Sequence, residues 1–320
     1  MAALEPIQFP GMPRTVAITG IAGNLGKAVA RLLHTETRLV GIDRRPFREK
    51  PKDLAHHQVD IRKKKLDDVF RRRRPEALIH LGIMHDPRMP FSEAHSFNVL
   101  GTHRVLDLCV RWGVKKVVVL SSANVYGPRP DNSNFLPEET PLMAADRYSD
   151  VRDLVELDMY AQSFMWKHPE VETVVLRPVH IVGPTVRNAP SNYLRLERPV
   201  TALGFDPMIQ LLHEDDVARA AALALRPGVR GVFNVNGPGE VPLSAALTEL
   251  GRRPIPVPHL LLRPMLKRLY AAHLSSFPPD EVDHVMYLCM VDGSRWEREV
   301  GWRPHYTLRE TIRSVLGGGS

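Results

Sequence analysis

Three glycines near the start of the chain, Gly20, Gly23 and Gly26, have the spacing that most clearly indicates chemistry. They follow an apolar run at residues 15–18 and precede a helical pattern at residues 25–33. A strand, a glycine turn and a helix in this order let a pyrophosphate approach the backbone, and the helix N-terminus then offers free N–H groups. The GxxGxxG spacing therefore predicts a dinucleotide-binding turn, with an ordinary glycine-rich loop as the alternative.

An acidic residue stands at the end of the next predicted strand. The apolar run at residues 38–42 ends in Asp43, at the distance from the glycines where a carboxylate accepts hydrogen bonds from the adenosine ribose. This position favours NAD as the cofactor. Arg44 and Arg45 follow directly and are suited to holding a 2′-phosphate, so NADP stays open as an alternative.

Strand and helix patterns alternate through the first half of the chain. Strands are predicted at residues 15–18, 38–42, 58–61, 77–81, 116–120 and 171–176, and helices at 25–33, 63–74, 92–112 and 146–167. This alternation predicts an α/β fold with a doubly wound parallel sheet. The expected regions are a leader at 1–13, a dinucleotide-binding domain at 14–178 and a smaller region at 179–320.

The second half has a less regular pattern. Strands are predicted at 208–212 and 232–235, and helices at 214–225, 242–250, 260–274, 296–302 and 308–315. The elements around 207–236 resemble late elements of the first domain, so we expect the smaller region to be interleaved with it.

Composition indicates an ordinary globular protein. The chain has 320 residues, a formal charge of +7 and two cysteines, Cys109 and Cys289, in apolar surroundings, which favours a reducing, cytoplasmic location. We expect no secretory signal and no membrane span. The basic run at 71–74 suits a solvated helix C-terminus better than a nucleic-acid patch, since no aromatic residues interleave it.

Several motifs together carry a family resemblance. They include TGIAGNLG at 19–26, HLGI at 80–83, SSANVYG at 121–127, EETP at 138–141, LRP at 176–178 and HEDDVA at 213–218. In this order they resemble the extended short-chain dehydrogenase/reductase family, of the NAD-dependent epimerase/dehydratase type. The resemblance implies a Rossmann-type fold with a smaller C-terminal substrate-binding region. It also implies an epimerase or oxidoreductase that uses NAD or NADP on a hydroxyl or keto carbon of a sugar-like or other small alcohol.

The resemblance, together with the glycine motif, also assigns the residues that hold the cofactor. These are Gly20, Gly23, Asn24, Leu25, Gly26, Asp43, Arg44, Asp60, Ile61, Leu81, Gly82, Asn98 and Pro178. It further implies a homodimer in which the helices at 92–112 and 146–167 form a four-helix bundle.

The reaction centre implied by the resemblance is a serine or threonine with a Tyr-x-x-x-Lys pair. The matching residues are Ser122 and Tyr148, but Arg152 stands where the lysine is expected. The tyrosine exchanges a proton with the substrate hydroxyl, and a nearby cation lowers its pKa. An arginine still supplies charge, but its planar head differs from the compact ammonium that holds the ribose. Three hypotheses stay open: arginine replaces lysine, the tyrosine acts without this partner, or the protein binds dinucleotide as a non-catalytic sensor.

The substrate side departs from the family in other ways. Ala123 and Asn124 replace the Asp-Glu pair of dehydratases, which argues against sugar 4,6-dehydration. Ile209 occupies the place of an arginine that grips a substrate diphosphate in nucleotide-sugar epimerases. We therefore favour other small substrates over nucleotide-diphosphate sugars.

Three residues are predicted to contact the substrate: Asn124, His180 and Arg187. The histidines at strand ends, His80, His180 and His213, have a spacing that fits no zinc pattern, so no metal site is predicted.

Overall fold

The computed structural model describes residues 6–48, 50–83, 90–146, 149–271 and 279–317. Its strands are β1 Thr15–Thr19, β2 Arg38–Asp43, β3 Ala55–Gln58, β4 Ala77–His80, β5 Lys116–Leu120, β6 Glu172–Pro178, β7 His180–Val182, β8 Val200–Leu203, β9 Met208–His213, β10 Gly231–Val235, β11 Glu240–Pro242 and β12 Ile255–Pro258. Its α-helices are α1 Asn24–Leu33, α2 Lys65–Arg73, α3 Phe91–His95, α4 Gly101–Arg111, α5 Ser149–Lys167, α6 Ala189–Arg195, α7 Glu214–Leu223, α8 Leu243–Glu249, α9 His259–Ala271, α10 Ser294–Val300 and α11 Leu308–Ser314.

Seven strands form one parallel sheet in the order β10-β6-β5-β4-β1-β2-β3. Both of its faces are buried, because neighbouring residues along a strand point to opposite cores. In β5, Val118 belongs to one hydrophobic cluster, while Val117 and Val119 belong to the other. The predicted doubly wound, Rossmann-type sheet is confirmed.

The strand order reverses between β1 and β4, which are neighbours although two strands separate them in the chain. In open α/β sheets, ligands bind at the carboxyl ends of the strands beside such a reversal. Gly20 directly follows β1, and Leu81 and Gly82 directly follow β4. The fold therefore brings together three residues that the sequence assigned to the cofactor.

The third strand was misplaced in the sequence prediction. It spans Ala55–Gln58 and not residues 58–61. The carboxylate of Asp60 accepts a hydrogen bond of 2.9 Å from the backbone N–H of Arg62, so the chain turns where a strand was expected. Asp60 still lies just beyond the carboxyl end of the strand.

The long helix predicted at 92–112 contains a π-helical turn. Residues Ser96–Leu100 form this turn between α3 and α4. Such turns insert one extra residue and often occur at functional sites. Asn98, one of the predicted cofactor ligands, lies within it.

The second half of the chain contributes small sheets that the sequence did not predict. β11, β9 and β7 form one of them, and β12 pairs with β8 in another. A third hydrophobic cluster lies among these elements and the C-terminal helices. β10 returns to the edge of the main sheet beside β6. Part of the helix predicted at 260–274 lies outside the described residues.

Within the described ranges, no helix is both long and apolar enough to cross a membrane.

Candidate active site

The glycine turn is a close-packed cradle. Gly20 has φ +73°, and a Cβ placed on it would lie 2.9 Å from the carbonyl carbon of Leu81. A Cβ on Gly26 would lie 2.7 Å from the Cα of Ile21. Side chains are therefore excluded at both positions, and the backbone stays open to a ligand. Helix α1 begins at Asn24, so the backbone N–H groups of its first residues, Asn24 and Leu25, have no partners within the helix. Such groups suit the pyrophosphate of a dinucleotide.

Asp43 lies beside the cradle at the end of β2. Its buried carboxylate accepts hydrogen bonds from the backbone N–H groups of Ala22, at 3.0 Å, and Arg45, at 2.9 Å. The guanidinium of Arg45 also pairs with it at 3.2 Å. The predicted ribose-binding carboxylate is thus fixed against the glycine turn, and a cation that the prediction placed nearby neutralises it.

A second acid–arginine pair lies beyond β3. Arg62 Nη2 lies 2.7 Å from an oxygen of Asp60, and the hydrogen bonds from Arg62 lower the pKa of that carboxyl. The guanidiniums of Arg62 and Arg44 lie over the ring of Phe97, at 5.6 and 5.7 Å from its centre. Ile61 is buried, and its side chain packs against Gly101 at the beginning of α4. Asp60, Ile61 and Arg44 therefore meet in one cluster.

Asn98 joins this region to helix α5. Its side-chain amide donates a hydrogen bond to Asp153 at 3.3 Å, and the ring of His95 lies 2.8 Å from the other carboxylate oxygen. Asp153 is buried, although it is the immediate neighbour of the exposed Arg152. The π-helical turn thus aims Asn98 at the beginning of α5.

The predicted reaction centre is placed only in part. Ser122 ends the segment after β5, and its hydroxyl accepts a hydrogen bond of 3.1 Å from the backbone N–H of Asn124. The hydroxyl of the preceding Ser121 is buried and has no hydrogen-bond partner among the described residues. Arg152 is exposed on α5 and forms no ion pair within the described part of the chain. Tyr148 lies outside the described residues.

Pro178 ends β6 and is buried, in register with Val235 of β10. Beyond it, a pocket opens between the main sheet and the small sheets, with an empty volume of about 540 Å³ that includes its mouth. The pocket is lined by Asn124, His180, Pro190, Tyr193, Leu194, Ile209, Leu211, Leu243, His284 and Val285. Two of the three predicted substrate residues, Asn124 and His180, are therefore in one cavity.

The two histidines of the pocket form an edge-to-face pair. The ring centres of His180 and His284 are 5.7 Å apart. Burial lowers the pKa of His180 to about 4, and burial together with His180 lowers the pKa of His284 to about 3. Both rings are therefore neutral at physiological pH and offer one N–H donor and one acceptor nitrogen each.

The third predicted substrate residue, Arg187, is not among the residues that line this pocket. Its guanidinium donates hydrogen bonds of 2.9 Å to the carbonyls of Pro184 and Val186. Arg195 likewise donates to the carbonyls of Val186 and Gly183. Both arginines hold the loop before α6 together.

Sequence reasoning missed several residues of the site. Arg62 had a local signal, because Asp-x-Arg occurs at residues 43–45 and again at 60–62, after neighbouring strands. Phe97 stands next to the predicted Asn98, but nothing in its type indicated that it would pack under two arginines. Tyr193 and His284 had no signal, because each reaches the site from an element distant in the chain. Within the described ranges, no three His, Cys, Asp or Glu side chains are grouped as a metal ion would need.

Comparison with known proteins places this geometry in context. Residues 16–236 match the model of the NAD-dependent epimerase/dehydratase family. A protein of Mycobacterium tuberculosis, known only as an uncharacterised protein, is 26% identical over 97% of this chain and 85% of its own length. UDP-glucose 4-epimerase 2 of Oryza sativa subsp. japonica is 31% identical over 71% of this chain and 59% of its own length.

Among solved structures, the enzyme WbmG of Bordetella bronchiseptica, in complex with NAD and UDP, superimposes with a TM-score of 0.73. The match covers 96% of this chain and 94% of that protein, at 20% sequence identity. At this identity the likeness shows a shared fold.

Proposed function

Since this chain belongs to the NAD-dependent epimerase/dehydratase family, we propose that it is an NAD-dependent epimerase or oxidoreductase. Its substrate is a small molecule that reacts at a hydroxyl or keto carbon. The observation that carries the proposal is the position of Ser122. Ser122 follows the carboxyl end of β5, and the glycine cradle follows the carboxyl end of β1, so both lie at the same end of the parallel sheet. Asn124, two residues after Ser122, lines the pocket.

The cradle and its acidic neighbours fit the cofactor. Gly20 and Gly26 leave the backbone bare, and the α1 N-terminus suits two phosphates. Asp43 favours NAD, because a buried carboxylate at the ribose repels a 2′-phosphate. Arg45 would have to leave Asp43 to hold such a phosphate, and this keeps NADP as the weaker alternative. When bound, NAD supplies the hydride acceptor.

The proton chemistry falls to the chain's own residues. Tyr148 takes the proton from the substrate hydroxyl, and the Ser122 hydroxyl orients the substrate oxygen. Arg152, which makes no ion pair within the described ranges, supplies the positive charge that lowers the pKa of the tyrosine. His180 and Asn124 position the substrate from the pocket side.

We also propose a cytoplasmic homodimer built through α4 and α5. Leu100, Met159 and Trp166 support this, because they are exposed by 56%, 58% and 78% on the π-helical turn and on α5. Both cysteines are free thiols, as fits a reducing compartment.

The cofactor site is tested by Gly20→Ala. The added methyl meets the Leu81 carbonyl, so we expect NADH, followed by its fluorescence, to bind at least about tenfold more weakly. Gly113→Ala is the matched control, since Gly113 has a similar φ of +71° but nothing within 4 Å of its added Cβ. An equal loss of affinity in both variants would contradict the proposed cradle.

The reaction is tested by Tyr148→Phe. We expect turnover to fall by about 10² to 10⁴, since the general acid/base is lost, with NADH binding unchanged. Turnover is measured on a panel of UDP-glucose, UDP-glucuronate and uncharged cyclic alcohols and ketones, by absorbance at 340 nm and by product chromatography. Arg152→Met should lower the rate, and Arg152→Lys should restore it. A Tyr148→Phe enzyme with the wild-type rate would exclude this mechanism, and NADH binding without turnover of any panel member would favour the sensor hypothesis.

A further inference from the structure

The pocket lined by Asn124 and His180 is mainly apolar. Pro190, Leu194, Ile209, Leu211 and Leu243 line it with carbon surface. Ile209 and Leu211 alternate along β9 and so point to the same face of the small sheet. The position that the family resemblance assigns to a diphosphate-binding arginine is thus part of an apolar wall.

No charged side chain lines this pocket within the described ranges. Three arginines in the second half of the chain are engaged elsewhere. Arg187 and Arg195 bind backbone carbonyls of the loop at 183–186, and Arg263 pairs with Asp283 at 2.9 Å.

The polar groups of the pocket are few and uncharged. His180 and His284 are neutral at physiological pH, because burial opposes their protonation. The Tyr193 hydroxyl donates a hydrogen bond of 2.9 Å to the carbonyl of Val200. The side chain of Asn124 makes no hydrogen bond to any described residue, which leaves it able to bind a substrate oxygen.

We propose that this pocket binds an uncharged substrate with a largely apolar carbon body and a single hydroxyl or keto oxygen. A sugar carried on a nucleoside diphosphate does not fit it. The proposal rests on the proposed function, which puts the reacting carbon beside Ser122. Asn124 and His180 hold the oxygen function, while Ile209, Leu211 and Leu243 contact the carbon body.

The physical reason is the cost of burying charge. A diphosphate that enters this pocket loses its water and finds neither an arginine nor a protonated imidazole among the described lining residues. An aliphatic ring system of similar size loses little hydration and gains contact with the apolar wall.

The test compares two probes on the NAD-saturated protein by isothermal titration. trans-1-Decalone represents an uncharged bicyclic ketone, and UDP represents the nucleoside diphosphate. We expect decalone to bind at least about tenfold more tightly than UDP. In Ile209→Arg, decalone should lose at least about tenfold in affinity, and UDP should gain affinity.

Ile209→Leu is the matched control and should keep the affinity for decalone within about twofold. If Ile209→Arg fails to bind NADH, Ile209→Gln takes its place. It too should lower the affinity for decalone. Tighter binding of UDP, no binding of decalone by the wild type, or equal decalone affinity in the polar variants would overturn the inference.

Failure of the proposed function has a different signature. Decalone binding that depends on Ile209, in a protein that does not bind NADH, would exclude the NAD-dependent activity and support the pocket chemistry. NADH binding together with tighter binding of UDP than of decalone would support the NAD-dependent activity and exclude the proposed pocket chemistry.

Discussion

Arg177 and His180 are three residues apart in the chain and lie in opposite environments. Arg177 lies near the end of the long strand β6 and is 1% exposed, and its guanidinium donates hydrogen bonds of 2.9 and 2.7 Å to Asp158. It also donates to the hydroxyl of Tyr126, which in turn donates to Asn234. Burial raises the pKa of Tyr126 to about 12, so the phenol stays neutral.

His180 begins β7 and faces the pocket. It carries no charge, and its neighbours across the pocket are another neutral imidazole and apolar side chains. Arg177 therefore has its charge compensated within the protein, whereas the imidazole of His180 lines the pocket and makes no hydrogen bond to a described residue. A charged residue within a family motif can thus stabilise the fold, while an uncharged residue three positions later can contribute to substrate binding.

The largest effect is expected from Arg177→Met. The substitution leaves the fully buried Asp158 without its cation, so the free energy of unfolding should fall by about 3–5 kcal/mol. Urea unfolding followed by circular dichroism measures this loss.

Arg71→Met is the matched control, since it removes an exposed pair with Asp68 and should leave stability nearly unchanged. If Arg177→Met lowered the free energy of unfolding as little as the control does, the buried ion pair of Arg177 and Asp158 would not stabilise the fold as described. The comparison with His180 would then fail.

A smaller effect is expected from the neutral histidines of the pocket. Their pKa values in the folded protein, about 4 for His180 and about 3 for His284, lie below the ordinary value of 6.5. As pH falls, the unfolded chain takes up protons first. The stability contributed by each neutral ring is therefore complete above its ordinary pKa and is lost between that value and its folded pKa.

From pH 7 to pH 5, each of these two histidines should account for about 2 kcal/mol of lost stability. His284→Gln should remove its share of the loss, as measured by urea unfolding at both pH values. His34→Gln controls for the loss of a histidine remote from the pocket. An unchanged pH dependence in His284→Gln would show that this ring takes up its proton as readily in the folded protein as in the unfolded chain, so that the pocket would gain charge as the pH falls.

Much of the cofactor side was predictable because its signals are local. Gly20, Gly23 and Gly26 lie within one turn, and Asp43 ends the next strand. Burial on both faces of a parallel sheet makes each strand a continuous apolar run, which is readable without the structure. The misplaced third strand shows the limit. Val59 and Ile61 alternate with polar residues as in a strand, but hydrogen bonds from Arg62 to the Asp60 carboxylate form a turn there.

The substrate side was less predictable because its signals are not local. His284 and Tyr193 come from a 3₁₀ segment and from α6, and their neighbours in sequence do not indicate a pocket. The short strands β7, β11 and β12 are stabilised by their partners and carry too few residues for a clear period.

The sequence alone determined the Rossmann-type sheet, the glycine cradle and the departures at Arg152 and Ile209, since these depend on residue type, period and spacing. Only the tertiary structure decided which polar groups are compensated. It pairs Arg177 with Asp158, 19 residues earlier in the chain, and it places Ile209 in the wall of a pocket whose described lining residues are uncharged. The energy of a charge or an imidazole depends on burial and on partners distant in the chain, and folding alone brings those together.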